Sequence, residues 1–168
     1  QIDHRWQQLN HRATVTGRHG AGKTTMVDTW RARLTQQGHD VFSLFLNSDQ
    51  KNLSETQWQT LQDCPAKTII LDGEEQLSWR ARCRFYQTTR NCTALIVLRH
   101  HPGKLPTLIH LDPDIKLLHR CVRVLSPQFY PQLRPLLPIM WKNHHGNLRN
   151  TLLNCFDAVS KFHQSSSI

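Results

Sequence analysis

The sequence predicts an α/β fold: a five-stranded, mostly parallel sheet with helices on both faces, followed by a small helical region. Three observations predict it. Apolar runs of buried-strand type, TIIL at 68–71 and TALIVL at 93–98, alternate with segments of helical periodicity. A glycine-rich turn, residues 17–22, stands between the first strand-like run and the first long helical pattern. Strand-like runs cease after Ser126-Pro127.

Each element has a local reason. Ile2, Trp6 and Leu9 recur at helical spacing, which predicts a short amphipathic helix over 1–9. RATVT, residues 12–16, reads as a strand. Lys23 to about Gln37 reads as a helix with Met26, Val27, Trp30 and Leu34 inward, and Gly38 sits where a left-handed residue ends it. Val41–Leu46 is the second strand. Ser54 is placed to cap a helix that carries Trp58 and Leu61. Lys67–Leu71 is the third strand. Residues 75–90 read as a helix with Leu77, Ala81 and Phe85 on one side, and Thr93–Leu98 is the fourth strand. A proline-containing loop runs through Pro106, a short helix covers Asp114 to about Arg120, and Val122–Leu125 reads as the fifth strand. Residues 128–163 read as helices interrupted by Pro131, Pro135, Pro138 and Gly146, with a frayed QSSSI tail. The domain reading is a core over 1–126 and a small helical lid over 127–168.

The 168-residue chain carries 21 Lys+Arg against 12 Asp+Glu, a formal +9. Arginine-rich chains often meet phosphates, as nucleotide or nucleic acid. Acidic residues are scarce, and the only glutamates are Glu55, Glu74 and Glu75. Five cysteines without a CxxC pair argue against a disulfide framework and for a reducing, cytoplasmic setting. The scattered histidines lack metal-ligand spacing, so no structural metal is expected. No apolar run reaches the ~18–20 residues of a membrane helix, and the first residues lack the apolar core of a signal peptide. Gln1 in place of Met is expected of a processed chain or of one boundary in a longer chain.

The strongest motif is GRHGAGKT, residues 17–24, which fills every fixed position of G-x-x-x-x-G-K-[ST] between a strand and a helix. Glycines at 17, 20 and 22 free the backbone of Gly17, Arg18, His19, Gly20, Ala21 and Gly22 to turn its amides on phosphate oxygens. Lys23 is placed to reach β- and γ-phosphates, Thr24 to join a Mg²⁺ shell, and Thr25 to lie near the α-phosphate or the base. In TIILDGEEQL, residues 68–77, Asp72 ends a buried strand, where a carboxylate can hold the metal's water shell. Glu74 or Glu75 could then polarise the attacking water.

This arrangement resembles the AAA+ and STAND-like branch of the P-loop NTPases, in which an extra strand lies between the phosphate-loop strand and the Asp strand. The resemblance covers nearly the whole chain and implies a three-layer P-loop NTPase with a C-terminal helical lid, ATP and Mg²⁺ as ligands, and slow hydrolysis. DGEE resembles, one residue short, the D-G-x-x-E form of some STAND ATPases more than the adjacent Asp-Glu form usual in AAA+, and by that likeness Glu75 is favoured over Glu74. ALIVLRHHP resembles the strand whose end carries a "sensor 1" residue, implying Arg99 or His100 near the γ-phosphate. LLHRCVRVLSP resembles the stretch before the last strand that bears an arginine finger. That implies Arg120 acting on a neighbouring copy in a homo-oligomer. HHGNLRNTLLNCFDAV resembles a lid helix capped by Asn147. Its apolar face would be Leu148, Leu152, Cys155, Phe156 and Val159, and Arg149 would be its "sensor 2".

The leading reading is therefore a switch-like ATPase acting on an unknown partner. A small-molecule or nucleotide kinase would need a substrate pocket and an arginine-rich lid; Arg80, Arg82, Arg84 and Arg90 read instead as a solvated helix face. A nucleic-acid-associated regulatory ATPase fits the charge, but no helix-turn-helix or aromatic–basic platform is evident. A structural module with a dead nucleotide site is the remaining class. The missing N-K-x-D motif favours ATP over GTP.

Overall fold

The computed structural model describes residues 2–63 and 67–165, with side chains through Lys161. The chain divides into two compact units, residues 1–17 with 23–110 and residues 18–22 with 111–168.

The first unit holds the sheet. Strands β1 (Arg12–Gly17), β2 (Val41–Phe45), β3 (Thr68–Asp72), β4 (Ala94–Arg99) and β5 (Thr107–Leu111) lie in the order β2-β3-β4-β1-β5. β4 is thus inserted between β1 and β3, and all the paired strands run parallel. The register sets Thr16 beside Arg99, Leu98 beside Asp72 and Asp72 beside Phe45. Parallel pairing therefore brings the carboxyl ends of four strands to one edge, where ligands of open α/β sheets bind.

The alternation of each strand divides the core. Ile69, Leu71, Leu95 and Val97 pack on Leu53, Trp58, Leu61, Leu77, Ala81 and Phe85 from one side. Trp58 and Leu61 come from helix α3 (Glu55–Gln62), whose N-cap Ser54 forms a reciprocal capping box with Gln57. Ala81 and Phe85 come from α4 (Trp79–Thr88), capped by Ser78. On the other side, α2 (Lys23–Gln36) buries Val27, Trp30 and Leu34 and ends before Gly38 at φ +87°. Helix α1 (Ile2–Gln8) buries Trp6, which meets Trp30 edge to face at 4.7 Å. Asp3 ties the pair by accepting from Trp30 Nε1 at 3.0 Å and from Arg33 at 2.8 Å.

Three expectations are corrected. The fifth strand is Thr107–Leu111, not Val122–Leu125. Residues 122–125 continue helix α5 (Ile115–Leu125), because Asp114 caps it and Leu118 and Val122, four apart, are both buried. The helix expected over 75–90 is split: a 3-10 turn, Glu74–Gln76, precedes α4 and leaves Leu77 extended.

The second unit adds α6 (Tyr130–Leu133), α7 (Leu137–Asn143) and α8 (Leu148–Ser165) to α5. Its core is Leu118, Val122, Leu133, Leu137, Leu148 and Cys155. Besides residues 18–22 it comprises 111–168 and so takes in α5. Phe156, expected on the inner face of α8, is 70% exposed; Leu148, Thr151 and Cys155 are buried. The expected fraying of the QSSSI tail now concerns only 166–168, which lie outside the described residues. No helix among the described residues is long and apolar enough to cross a membrane.

Candidate functional site

In the first unit, the site is built where β1 and β3 end and α2 begins. Lys23 opens α2 with its side chain buried, and its Nζ donates to the Gly17 carbonyl at 2.7 Å. Burial pushes the Lys23 pKa down, and the charges of Asp72 and Glu75 oppose that shift. At the next residue, Thr24 Oγ1 donates to Asp72 Oδ2 at 2.6 Å. Two residues 48 apart in sequence are thus brought into hydrogen-bond contact, one from a helix start and one from a strand end. Thr25 is exposed, and its carbonyl accepts from the Thr29 hydroxyl. A cavity of about 340 Å³ opens beside Thr24 and Asp72, walled by Val27, Arg31, Phe45 and Ile70.

The adjacent glutamates part company in the 3-10 turn. Gly73 enters it at φ +89°, and a Cβ there would strike the Leu46 carbonyl at 2.4 Å, so only glycine fits. Glu74 then turns inward and is fully buried. Its carboxylate lies 2.9 Å from Arg99 Nε and 3.2 Å from Arg82 Nε, and it accepts from the Tyr86 hydroxyl at 3.2 Å. The arginines act as close charge partners, since neither Nε–H is aligned for a good hydrogen bond with it. Burial, then the neighbouring Glu74 charge, pushes the Tyr86 phenol up to about 12. Glu75 stays exposed and pairs with His100 Nε2 at 3.0 Å.

The sensor 1 candidates thus divide as the glutamates do. Arg99 is committed to Glu74 and packs so closely over Gly103 that a Cβ there would overlap its guanidinium. His100 stands with Glu75. Arg82 and Tyr86, the remaining partners of Glu74, are site residues that the sequence pattern does not mark. Their four-residue spacing along α4 is the available signal, but it gives no hint that a carboxylate eight and twelve residues upstream folds back on them.

In the second unit, residues 18–22 meet the start of α8. The Gly20 carbonyl accepts from the Arg149 N–H at 3.2 Å. Gly20 has φ +74°, and a Cβ would come within 2.0 Å of the Asn147 side chain. Asn147 Oδ1 caps α8 by accepting from the Asn150 N–H at 3.0 Å. Gly22, at φ +90°, faces open space, so backbone conformation alone requires it. Ala21 N–H closes the turn on the Arg18 carbonyl, and the Arg18 guanidinium pairs with Asp112 at 3.1 Å. His19 and the Arg149 side chain are exposed. Arg120 is exposed, and it lies within α5, after the last strand. The expectation that it precedes the last strand is therefore corrected.

The strand order and site geometry invite comparison with solved structures. A structure described as "Structure of C. elegans PCH-2" superposes with TM-score 0.52 and 13% identity, over 71% of this chain and 40% of that one. The likeness is one of fold, an α/β architecture with a five-stranded parallel sheet. The chain spans well under half the length of that relative. No family model matches the chain, and no curated protein matches its sequence.

Proposed function

We propose that the chain binds a nucleoside triphosphate, ATP, together with Mg²⁺ and hydrolyses it slowly, as an AAA+/STAND-like switch acting on a partner. The observation that carries this reading is the 2.6 Å contact of the Thr24 hydroxyl with the Asp72 carboxylate beside the buried Lys23. A solvated turn has no need of a buried ammonium, and burial disfavours its charge. Phosphate oxygens would replace the Gly17 carbonyl as its partner and favour the charged form.

Thr24 and Asp72 fit Mg²⁺, because a hydroxyl and a carboxylate are hard oxygen donors. Among the described residues no group of three or more His, Cys, Asp or Glu could hold a metal, so phosphate oxygens and water would complete the shell. Bound there, the ion would neutralise charge on the phosphates. Residues 17–25 supply the phosphate cradle. Glu75 orients the attacking water and accepts its proton; its neighbour is already engaged by two arginines and a phenol. Arg149, at the start of α8, is assigned to the γ-phosphate, so its helix would respond to nucleotide state. Arg120 retains only its exposure as support for a finger reaching a neighbouring copy.

Titration with a fluorescent ATP analogue tests the reading. Wild type should bind saturably with Mg²⁺, and Lys23→Ala should not; equal binding by both would overturn it. Glu75→Gln should keep binding and lose at least 100-fold in turnover, within the range for a general base. Faster phosphoryl transfer to an added acceptor than to water would make the chain a kinase instead.

A further inference from the structure

The outward face of α4 has features that neither the core nor the nucleotide site uses. Trp79, its first residue, is 75% exposed. Arg80 follows in the first turn, which contains no acidic residue. A cation there opposes the helix dipole, so helix stability does not account for it. Arg84, one turn on, lies with its guanidinium 4.2 Å from the Trp58 ring centroid. Trp58 is buried and thus acts as a fixed bed, while Arg84 itself is exposed. Arg80 and Arg84, next along the helix from Trp79, line a cavity of about 330 Å³ together with Asn52, Leu53, Glu55, Trp58 and Ala81. From Gln76 to Leu111 the chain has no acidic residue; Arg82 and Arg99 of that stretch are committed to Glu74, while Arg80, Arg84, Arg90 and Lys104 are exposed, and Glu55 is the acidic residue lining the cavity.

We infer that this face is a binding platform for single-stranded nucleic acid. Trp79 and the bedded Arg84 plane offer stacking surfaces for unpaired bases, and guanidinium planes stack bases as aromatic rings do. Arg80 and the edges of Arg84 face the phosphates. Glu55 would repel a phosphate, but its carboxylate accepts from exocyclic base amines, as carboxylates do from cytosine N4. The platform therefore favours amine-bearing bases over thymine. A duplex would hide the base faces and use only the charge. This inference stands apart from the nucleotide reading, since neither Lys23 nor Asp72 takes part.

Fluorescence anisotropy with a labelled oligo-dC strand, without nucleotide, tests it. Trp79→Ala should weaken binding about tenfold, the worth of one stacked base. Arg80→Ala with Arg84→Ala should weaken it further. The same pair should lower the log–log salt slope by about 1.4, because two phosphates of the strand are no longer neutralised. Oligo-dC should bind more tightly than oligo-dT, and Glu55→Gln should narrow that gap. Trp79→Phe should keep most of the affinity while losing the tryptophan quenching that strand binding causes. Arg134→Ala removes the same charge from an exposed site in the second unit and should change little. Thermal melting confirms that each variant is folded. Absence of oligo-dC binding at low salt, tighter binding of duplex than single strand, or equal loss from Arg134→Ala and Arg80→Ala would overturn the proposal.

Discussion

The two sides of α4 carry the same residue types in opposite circumstances. On the inner side, Arg82 and Tyr86 converge on the buried Glu74, joined by Arg99 from the end of β4. On the outer side, Arg80 and Arg84 share their surface with an exposed Trp79 and a cavity. An arginine excess is thus two things here. Part of it neutralises a carboxylate the fold has taken out of water, and part of it is offered to solvent.

The largest effect should come from removing the carboxylate. Glu74→Ala leaves two cations facing each other without their counter-charge. It should cost about 3 kcal/mol in denaturant unfolding, at the low end for a broken buried pair because both arginines keep some access to water. A cost under about 0.5 kcal/mol would place Glu74 among ordinary surface residues. Added salt should change this cost little, in contrast to the steep salt dependence expected of the outer face.

Tyr86→Phe probes the same cluster more gently. Losing its bond to the carboxylate should cost about 1–1.5 kcal/mol near neutral pH. The phenol also has a pH signature. Its folded pKa, about 12, is above the ordinary 10.0, so the folded state holds the proton more tightly. That contribution is complete below pH 10.0 and is lost as pH rises toward 12. Tyr86→Phe should flatten the wild-type decline in that window, as read from denaturant midpoints; parallel declines would contradict it. The smallest effect should have the opposite sign. Arg80→Glu puts an anion where the dipole favours one and should stabilise α4 by about 0.3–1 kcal/mol.

Much of the sheet was legible because buried parallel strands are written as uninterrupted apolar runs, as in TIIL and ALIVL. The phosphate loop was legible because its chemistry restricts residue type at fixed spacing. The fifth strand was misplaced for a related reason. TLIHL lies at the sheet edge with only Leu108 fully buried, so its pattern is weak. CVRV has the β-branched look of a strand, but Asp114 and the Leu118–Val122 spacing favour a helix. Nothing in residue type or spacing separates Glu74 from Glu75, and only a family likeness favours Glu75. The 3-10 turn that separates them depends on Gly73 fitting against Leu46, and their partners arrive from α4 and β4. The aromatic–arginine surface was also illegible, because Trp58 reaches it from another helix.

Gly20 bears on how such a loop ages under mutation. It is not a fixed position of the phosphate-loop pattern, yet any side chain there would displace the Asn147 amide that starts α8. Its glycine is therefore demanded by folding of the second unit whether or not a nucleotide ever binds. A descendant that abandoned nucleotide binding would be free to lose Lys23 and Thr24 while still keeping Gly20. The decay of this site would be recorded first in its lysine, and its glycine would outlast the activity.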